Sequence, residues 1–568
     1  MIHIRRNENS IRLVIAIGII IGAIALTLFR HWEPTHETWG YWLFARIFSE
    51  TGKLNIWERS PLYVIYLNFF RWLGYPSSII VEYIVTTFIT SLALFTLFRP
   101  ILGSPLAISA AVLWIPYIQE AEPPVQKVAL TFACAAVIVR NKVWILRIPI
   151  SYIFFGVATL FRPTYIIVAF VFFVYDVWDY YKSSDSFDYT TVIVKARKYS
   201  LVFLFIVIFF LIQLNQSSYS WNNQLFATSV WFPWSGKKFE ALQNYNWYYI
   251  EQKYRTLIGH DFYFSNKELF RGASTTIGAM LANPRYIASF SIWNFFATLN
   301  ISTSMTFLTY FTKYLPYISF FNCLLFAFII YGAFRLSLSK PMKAFLIGNC
   351  VILIVTIPIF LPFPRYMYSL ITIYTLSAYW YSQKIQGLLT GSGIIERFVK
   401  RIGIPVLFLA LLSTGVRDWK HIVFDLAKDV LTNDIRVMET RNEYYNYSAK
   451  ASYESLRNFA QKCTGIMTLE HGFIAAFTNV PLSQVFDVWE IPPFGTLPTS
   501  GYAGLSPARV NCLFISNELM YGHGAATNFQ GRYQNYIKPY NEMLQQTGAE
   551  VYHISTYGFV VKGHTTKN

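Results

Sequence analysis

Charge is scarce in this chain. Asp, Glu, Lys and Arg make up 14% of its 568 residues, against about 25% in a soluble domain. The charge that remains is lopsided: 47 Lys and Arg face 30 Asp and Glu, for a net charge of +17. Much of that basic excess falls in short loops between apolar blocks, which points to a lipid bilayer as partner and away from nucleic acid. Cysteine is too sparse for a disulfide framework, at five residues. Cys134, Cys323 and Cys350 lie in apolar runs and read as small packing residues. Cys463 and Cys512 each stand beside a strand-like run, and they can pair if that part lies outside the cytoplasm. The chain has no Gly-rich phosphate loop, no Cys pair at metal spacing, no His-Glu-x-x-His and no Gly-x-Ser-x-Gly. Those absences leave nothing that suggests a cytoplasmic nucleotide site.

What the chain has in quantity is apolar sequence, 54% hydrophobic residues gathered into blocks such as Leu13 to Phe29, Leu201 to Leu214 and Phe345 to Leu361. A spanning helix needs roughly 20 mostly apolar residues, and these blocks approach that length. The first has no small-residue cleavage site behind it and reads as a retained anchor. On this pattern the chain is mainly α and polytopic, with about eleven transmembrane helices. They fall near 11–29, 77–97, 103–117, 125–139, 144–160, 164–178, 199–214, 316–334, 344–361, 366–381 and 402–415. Aromatics reach 19%, and clusters such as Trp39-Gly40-Tyr41-Trp42 and Tyr379-Trp380-Tyr381 suit the belts where lipid meets water.

Loop charge orients the spans. Arg5, Arg6 and Arg12 precede the first span. Alternate loops then carry Arg99; Arg140, Lys142 and Arg147; Lys182, Lys195, Arg197 and Lys198; Arg335, Lys340 and Lys343; and Lys384, Arg397, Lys400 and Arg401. The intervening loop Gln119 to Pro124 has two acids and no base. Basic loops stay cytoplasmic, so the N-terminus is expected inside and the C-terminal part outside. Two long outer segments follow, 30–76 and 215–316. In the first, Thr38 to Phe48 and Pro61 to Leu73 are amphipathic stretches separated by Gly52, as helices lying in the interface would be.

Residues 1–415 thus form a membrane domain and 416–568 a soluble extracytoplasmic one. In the latter, short strand-like runs at Gly465 to Leu469, Cys512 to Ile515, Val551 to Ile554 and Gly558 to Val561 bracket a helical pattern at Tyr536 to Gln546, which predicts a small α/β fold. His471, Tyr502, His523 and Arg532 are its candidate sugar contacts, though each also suits an ordinary surface position.

The stretch after the first span carries the most chemistry. Tyr41, Ala45 and Gly52 follow Glu37 at four, eight and fifteen residues, and Arg59-Ser60-Pro61-Leu62-Tyr63 opens the next helix. Glu37, Tyr41 and Ala45 share one helical face. A carboxylate just outside a membrane span is a candidate general base; a solvated interfacial acid is the plain alternative. In this spacing the chain resembles the GT-C superfamily of membrane glycosyltransferases, in particular the bacterial branch of aminoarabinose transferases and protein mannosyltransferases. The resemblance covers roughly residues 10–415. That family has Asp where this chain has Glu37, a change that keeps the charge and moves it by about one methylene. Glu33 and Glu50 are the other acids in reach.

The resemblance implies transfer of a sugar from a polyprenyl-phosphate carrier to a glycan, lipid or protein acceptor at the outer face of a bacterial inner membrane. Glu37 would take the acceptor proton, the anomeric carbon would invert, and lipid phosphate would depart. Cations would hold that phosphate. Arg162 in Leu160-Phe161-Arg162-Pro163 and Arg365 in Pro364-Arg365-Tyr366 are the candidates, with Lys127 as a third and Tyr41, Arg59 and Tyr366 as further substrate contacts. Charges flanked by long apolar blocks are costly and usually functional, although an Arg can also snorkel to headgroups. Glu120 and Glu122 form an acid-x-acid pair in the second outer loop. Related oligosaccharyltransferases bind a divalent metal ion through such a pair. The metal-independent reading is preferred, with substrate contact as the role of both acids. The alternatives are a surface-glycan polymerase or ligase, and a flippase or transporter of lipid-linked sugars. The last would be expected to show inverted repeats and mid-span charges.

Overall fold

The computed structural model describes residues 2–31, 36–52, 60–74, 77–120, 125–142, 146–162, 164–183, 281–282, 284–285, 318–356, 368–388, 393–412, 458–468, 480–487, 510–516, 538–546, 549–555 and 558–562. These are mostly helical. In chain order the helices are α1 (Ile2–His31), α2 (His36–Thr51), α3 (Pro61–Arg71), α4 (Ser77–Leu102), α5 (Ser104–Leu113), α6 (Ile115–Glu120), α7 (Val125–Arg140), α8 (Arg147–Phe161) and α9 (Tyr165–Ser183). There follow α10 (Ile318–Phe334), α11 (Lys340–Thr356), α12 (Ser369–Leu388), α13 (Ile394–Phe398), a π-helical turn at Val399–Gly403, and α14 (Ile404–Leu412).

Two stretches, Ser10–Leu28 and Ser77–Leu102, are long and apolar enough to cross a membrane. The first buries Ala16, Ile20, Ala23 and Ile24 against its neighbours and exposes Ile11, Val14, Ile15, Ile19 and Ile21. A helix that is apolar on its exposed face too gains nothing from water on that side, as expected beside lipid. The expected span at 103–117 is instead two helices. Pro116 has no N–H to reach the Val112 carbonyl, so the chain breaks at Trp114. The buried Trp114 indole donates to Thr375 Oγ1 at 3.1 Å, tying the break to α12. The expected span at 199–214 lies outside the described residues.

Close packing rests on small residues. A Cβ on Gly348 of α11 would lie 3.1 Å from the Val168 Cα of α9, where only backbone can yield. Glycine at such a seam lets two helices approach without a gap. Gly348→Leu is therefore expected to destabilise the bundle by about 1–3 kcal/mol or more through overpacking. A lower midpoint in a thermal-unfolding assay of the detergent-solubilised protein checks this, and an unchanged midpoint would exclude that contact.

The helix ends sort into two groups. At one end Ser60 Oγ donates to the Leu160 carbonyl at 3.0 Å, and the Tyr368 hydroxyl donates to the Ile118 carbonyl at 3.2 Å. At the other end Arg140 pairs with Asp176, Tyr152 donates to Asp176 Oδ2 at 2.7 Å, and Ser339 Oγ donates to Asn141 Oδ1 at 2.9 Å.

The C-terminal region holds a five-stranded sheet of order β2-β1-β3-β5-β4, from β1 (Ile466–Thr468), β2 (Val485–Asp487), β3 (Cys512–Ser516), β4 (Glu550–Ser555) and β5 (Gly558–Lys562). β1 pairs in parallel with β2 and β3, whereas β5 runs antiparallel to β3 and β4. Helix α15 (Lys538–Gln546) packs on β5, and its buried Tyr540 donates to the Val510 carbonyl. Four of these strands coincide with the strand-like runs of the sequence. β2 does not, because three residues are too few to show alternation. Cys463 and Cys512 form a disulfide with Cα atoms 5.8 Å apart, fixing the turn before β1 to the start of β3.

Candidate functional site

α2 begins at His36, so Glu37 sits in its first turn and Tyr41 one turn further on. The Glu37 side chain lies outside the described residues, as do Arg59, Glu122, Arg365 and Tyr366, and the side chain of Glu120. The helix ends where Gly52 adopts φ +67° and donates its N–H to the Phe48 carbonyl at 2.8 Å. A left-handed residue there favours glycine and gives the chain its turn toward α3. Ser60 caps α3, accepting from the Tyr63 N–H at 3.4 Å, and Pro61 takes the first helical position.

α2 and α3 are joined along their length. Tyr41 meets Tyr63 edge-on with centroids 5.0 Å apart. Arg71 donates to Ser49 Oγ, and to the Ala45 carbonyl at 3.5 Å. Burial and the neighbouring Arg46 pull the Arg71 guanidinium below its ordinary value, while Glu50 opposes them; it remains cationic at any pH the protein meets. Glu50 is engaged by Arg46, whose Nε lies 2.5 Å from it. The buried Arg46 also donates through Nη2 to the Val480 carbonyl at 2.7 Å, joining α2 to the segment just before β2. A continuous buried apolar cluster runs from the helices into the sheet through Val480, Leu482 and Val485.

Beneath α3 lies a buried polar group that the sequence reading passed over. Glu82 of α4 is fully buried. Its Oε1 accepts from the Tyr63 hydroxyl at 3.0 Å and from Thr86 Oγ1 at 2.7 Å, and Thr86 also bonds to the Tyr66 hydroxyl at 2.8 Å. Burial, followed by the negative charge of Glu82, pushes the Tyr63 phenol well above its ordinary value, so it stays a donor. Lys127 of α7 interacts electrostatically with Glu82. It is fully buried, with its ammonium 3.9 Å from the centre of the Tyr83 ring, close enough for a cation–π contact. The signal for Glu82 was present in the sequence. An acid inside the run Ile79-Ile80-Val81-Glu82-Tyr83-Ile84-Val85 is costly in lipid unless something answers it.

Next to Lys127 is Gln126. Its carboxamide, oriented by its hydrogen-bonding surroundings, accepts from Arg162 Nε at 2.8 Å and Nη2 at 3.2 Å. Arg162 ends α8 with φ −142° and ψ 111°, the extended backbone that a following proline enforces. It is partly exposed. The structure thus gathers Tyr41, Lys127 and Arg162 at one end of the helices, with Glu82, Tyr63 and Gln126 between them. Chemically, among the described residues, this end offers two cations, one able to present a planar fork to a phosphate or carboxylate. Among the described residues no group of three His, Cys, Asp or Glu is placed to hold a metal ion; the Glu120–Glu122 pair that would hold a divalent cation lies outside them. No protein-family model matches this chain, and no curated protein matches it at a significant level.

Proposed function

We propose that this chain is a multi-pass membrane glycosyltransferase. It takes a sugar from a polyprenyl-phosphate donor at the outer face of the membrane and passes it, with inversion, to a surface glycan, lipid or protein. The observation that carries this reading is α3, which packs on α2, whose first turn holds the candidate base Glu37, and on the end of α8 that bears Arg162, while Lys127 at the start of α7 reaches the same end of the helices through α4. A base on one side and cations on the other is what the reaction needs: the acceptor loses a proton while the departing phosphate gains charge. Transfer by this route requires no cofactor, with a divalent metal ion at Glu120 and Glu122 as the alternative.

Three features support the orientation. Loops that the charge rule assigns to one side meet one another, through Ser60 and Leu160 at one end and through Asn141 and Ser339 at the other. The Cys463–Cys512 bridge suits an oxidising compartment, which favours an extracytoplasmic α/β domain at 416–568. The Arg46–Val480 bond ties the segment before β2 to α2, which supports such a domain lying beside the helix of the candidate base. About eleven spans remain the expected count.

The test is purified protein incubated with a panel of polyprenyl-phosphate sugars and candidate acceptors, with products read by mass spectrometry. Release of polyprenyl phosphate coupled to a new glycosidic bond is expected. Movement of intact lipid-linked sugar across the bilayer without bond cleavage would instead make the chain a flippase.

A further inference from the structure

We infer that Glu82 is a positioning residue: its buried carboxylate holds the Lys127 ammonium and the interfacial helix α3 in the arrangement a lipid phosphate needs. The phosphate part of this inference rests on the transferase reading above, whereas the coupling of Glu82 to Lys127 does not. Glu82, Thr86 and Thr90 follow one another at four-residue spacing on α4, so they share a face. Thr90 Oγ1 lies 3.3 Å from the Lys127 carbonyl and bonds to Thr131 Oγ1 at 2.9 Å, so the same face carries the seam with α7. Among the described residues of this seam Glu82 is thus an acid in a row otherwise made of hydroxyls, and from across the seam the Lys127 ammonium lies 3.9 Å from the centre of the ring of Tyr83, the next residue after Glu82.

Two opposite charges buried at this depth depend on each other. Removing one leaves the other in a medium that solvates it poorly, and removing both is tolerated far better. Glu82 also has a duty that a simple ion pair lacks. One of its oxygens receives the hydroxyl of Tyr63, whose ring carries Tyr41 of α2. The other, Oε2, is buried and makes no hydrogen bond among the described residues. A single side chain thereby connects the cation on α7 with the helix pair bearing Glu37. Gln126, the residue before Lys127, extends the connection to the second cation through its contact with Arg162.

The experiment is a charge-removal cycle in lipid nanodiscs with wild type, Glu82→Gln, Lys127→Met and the double variant. Gln keeps an oxygen for Tyr63 and Thr86 and removes only the charge. Unfolding temperature and affinity for undecaprenyl monophosphate are both measured. Each single change is expected to lower the unfolding temperature, with the double variant recovering about half or more of the loss. Affinity is expected to fall about tenfold in each single variant and to stay low in the double variant, because stability returns while the cation does not. Additive losses of stability would overturn the coupling of Glu82 to Lys127. Unchanged affinity in Glu82→Gln would overturn its positioning role. A wild-type protein that binds no polyprenyl phosphate would overturn the transferase reading, and the stability cycle would still decide whether Glu82 and Lys127 act as a pair.

Discussion

Replacing Glu37 with Gln is expected to abolish detectable sugar transfer while leaving the protein folded and present at wild-type level. A general base contributes about 10²–10⁴ in rate, and Gln accepts a hydrogen bond but takes no proton. The cost to the fold should be small by comparison. Glu37 lies in the first turn of α2, where an acid gains about 0.3–1 kcal/mol from the helix N-terminus. An interfacial acid with no chemical role would therefore show the small stability change alone. The two outcomes separate cleanly in single-turnover rates measured beside an unfolding curve. Full activity in Glu37→Gln would remove the mechanism, and Glu33 would become the next acid to test. Glu50 is a poorer substitute because Arg46 engages it.

Arg162→Ala should cost about 10²–10³ in transfer rate, the usual scale for removing one group that stabilises developing charge. The loss should appear in kcat as well as in donor KM, since the phosphate is most negative as it departs. Arg162→Lys should recover only part of the rate, because an ammonium lacks the planar fork. The variant also loses the bond to Gln126, worth about 1–3 kcal/mol if the amide is left unsatisfied. Gln126→Ala is therefore the control. If it matches Arg162→Ala in rate, the arginine acts through packing. If initial rates at saturating donor are unchanged in Arg162→Ala, this residue does not hold the phosphate.

The apolar runs of the sequence and the helices of the structure agree in position to within a few residues, as α4, α7, α8 and α10 show. This follows from a local cause. A backbone away from water must bond to itself, and a helix does so within one segment. The break at Trp114 was also readable, since Pro116 announces it, yet a run of apolar residues on either side masks a proline. Strand β2 was not readable, because its three residues owe their conformation to β1 alongside.

The candidate site divides in the same way. Spacing in the chain showed that Glu37, Tyr41 and Ala45 share a face and that Gly52 ends their helix, since both are consequences of local helical geometry. Composition alone carried the membrane reading. Only the tertiary structure decided that Tyr41 reaches Tyr63, that Tyr63 reaches Glu82, and that Arg162 reaches Gln126. It alone joined Arg46 to Val480 across the length of the chain and brought Cys463 to Cys512. The reason is physical. Helical period and bilayer thickness act over a few residues and are written into neighbouring side chains, whereas contacts between side chains of different helices depend on how those helices pack, and no single segment contains that information.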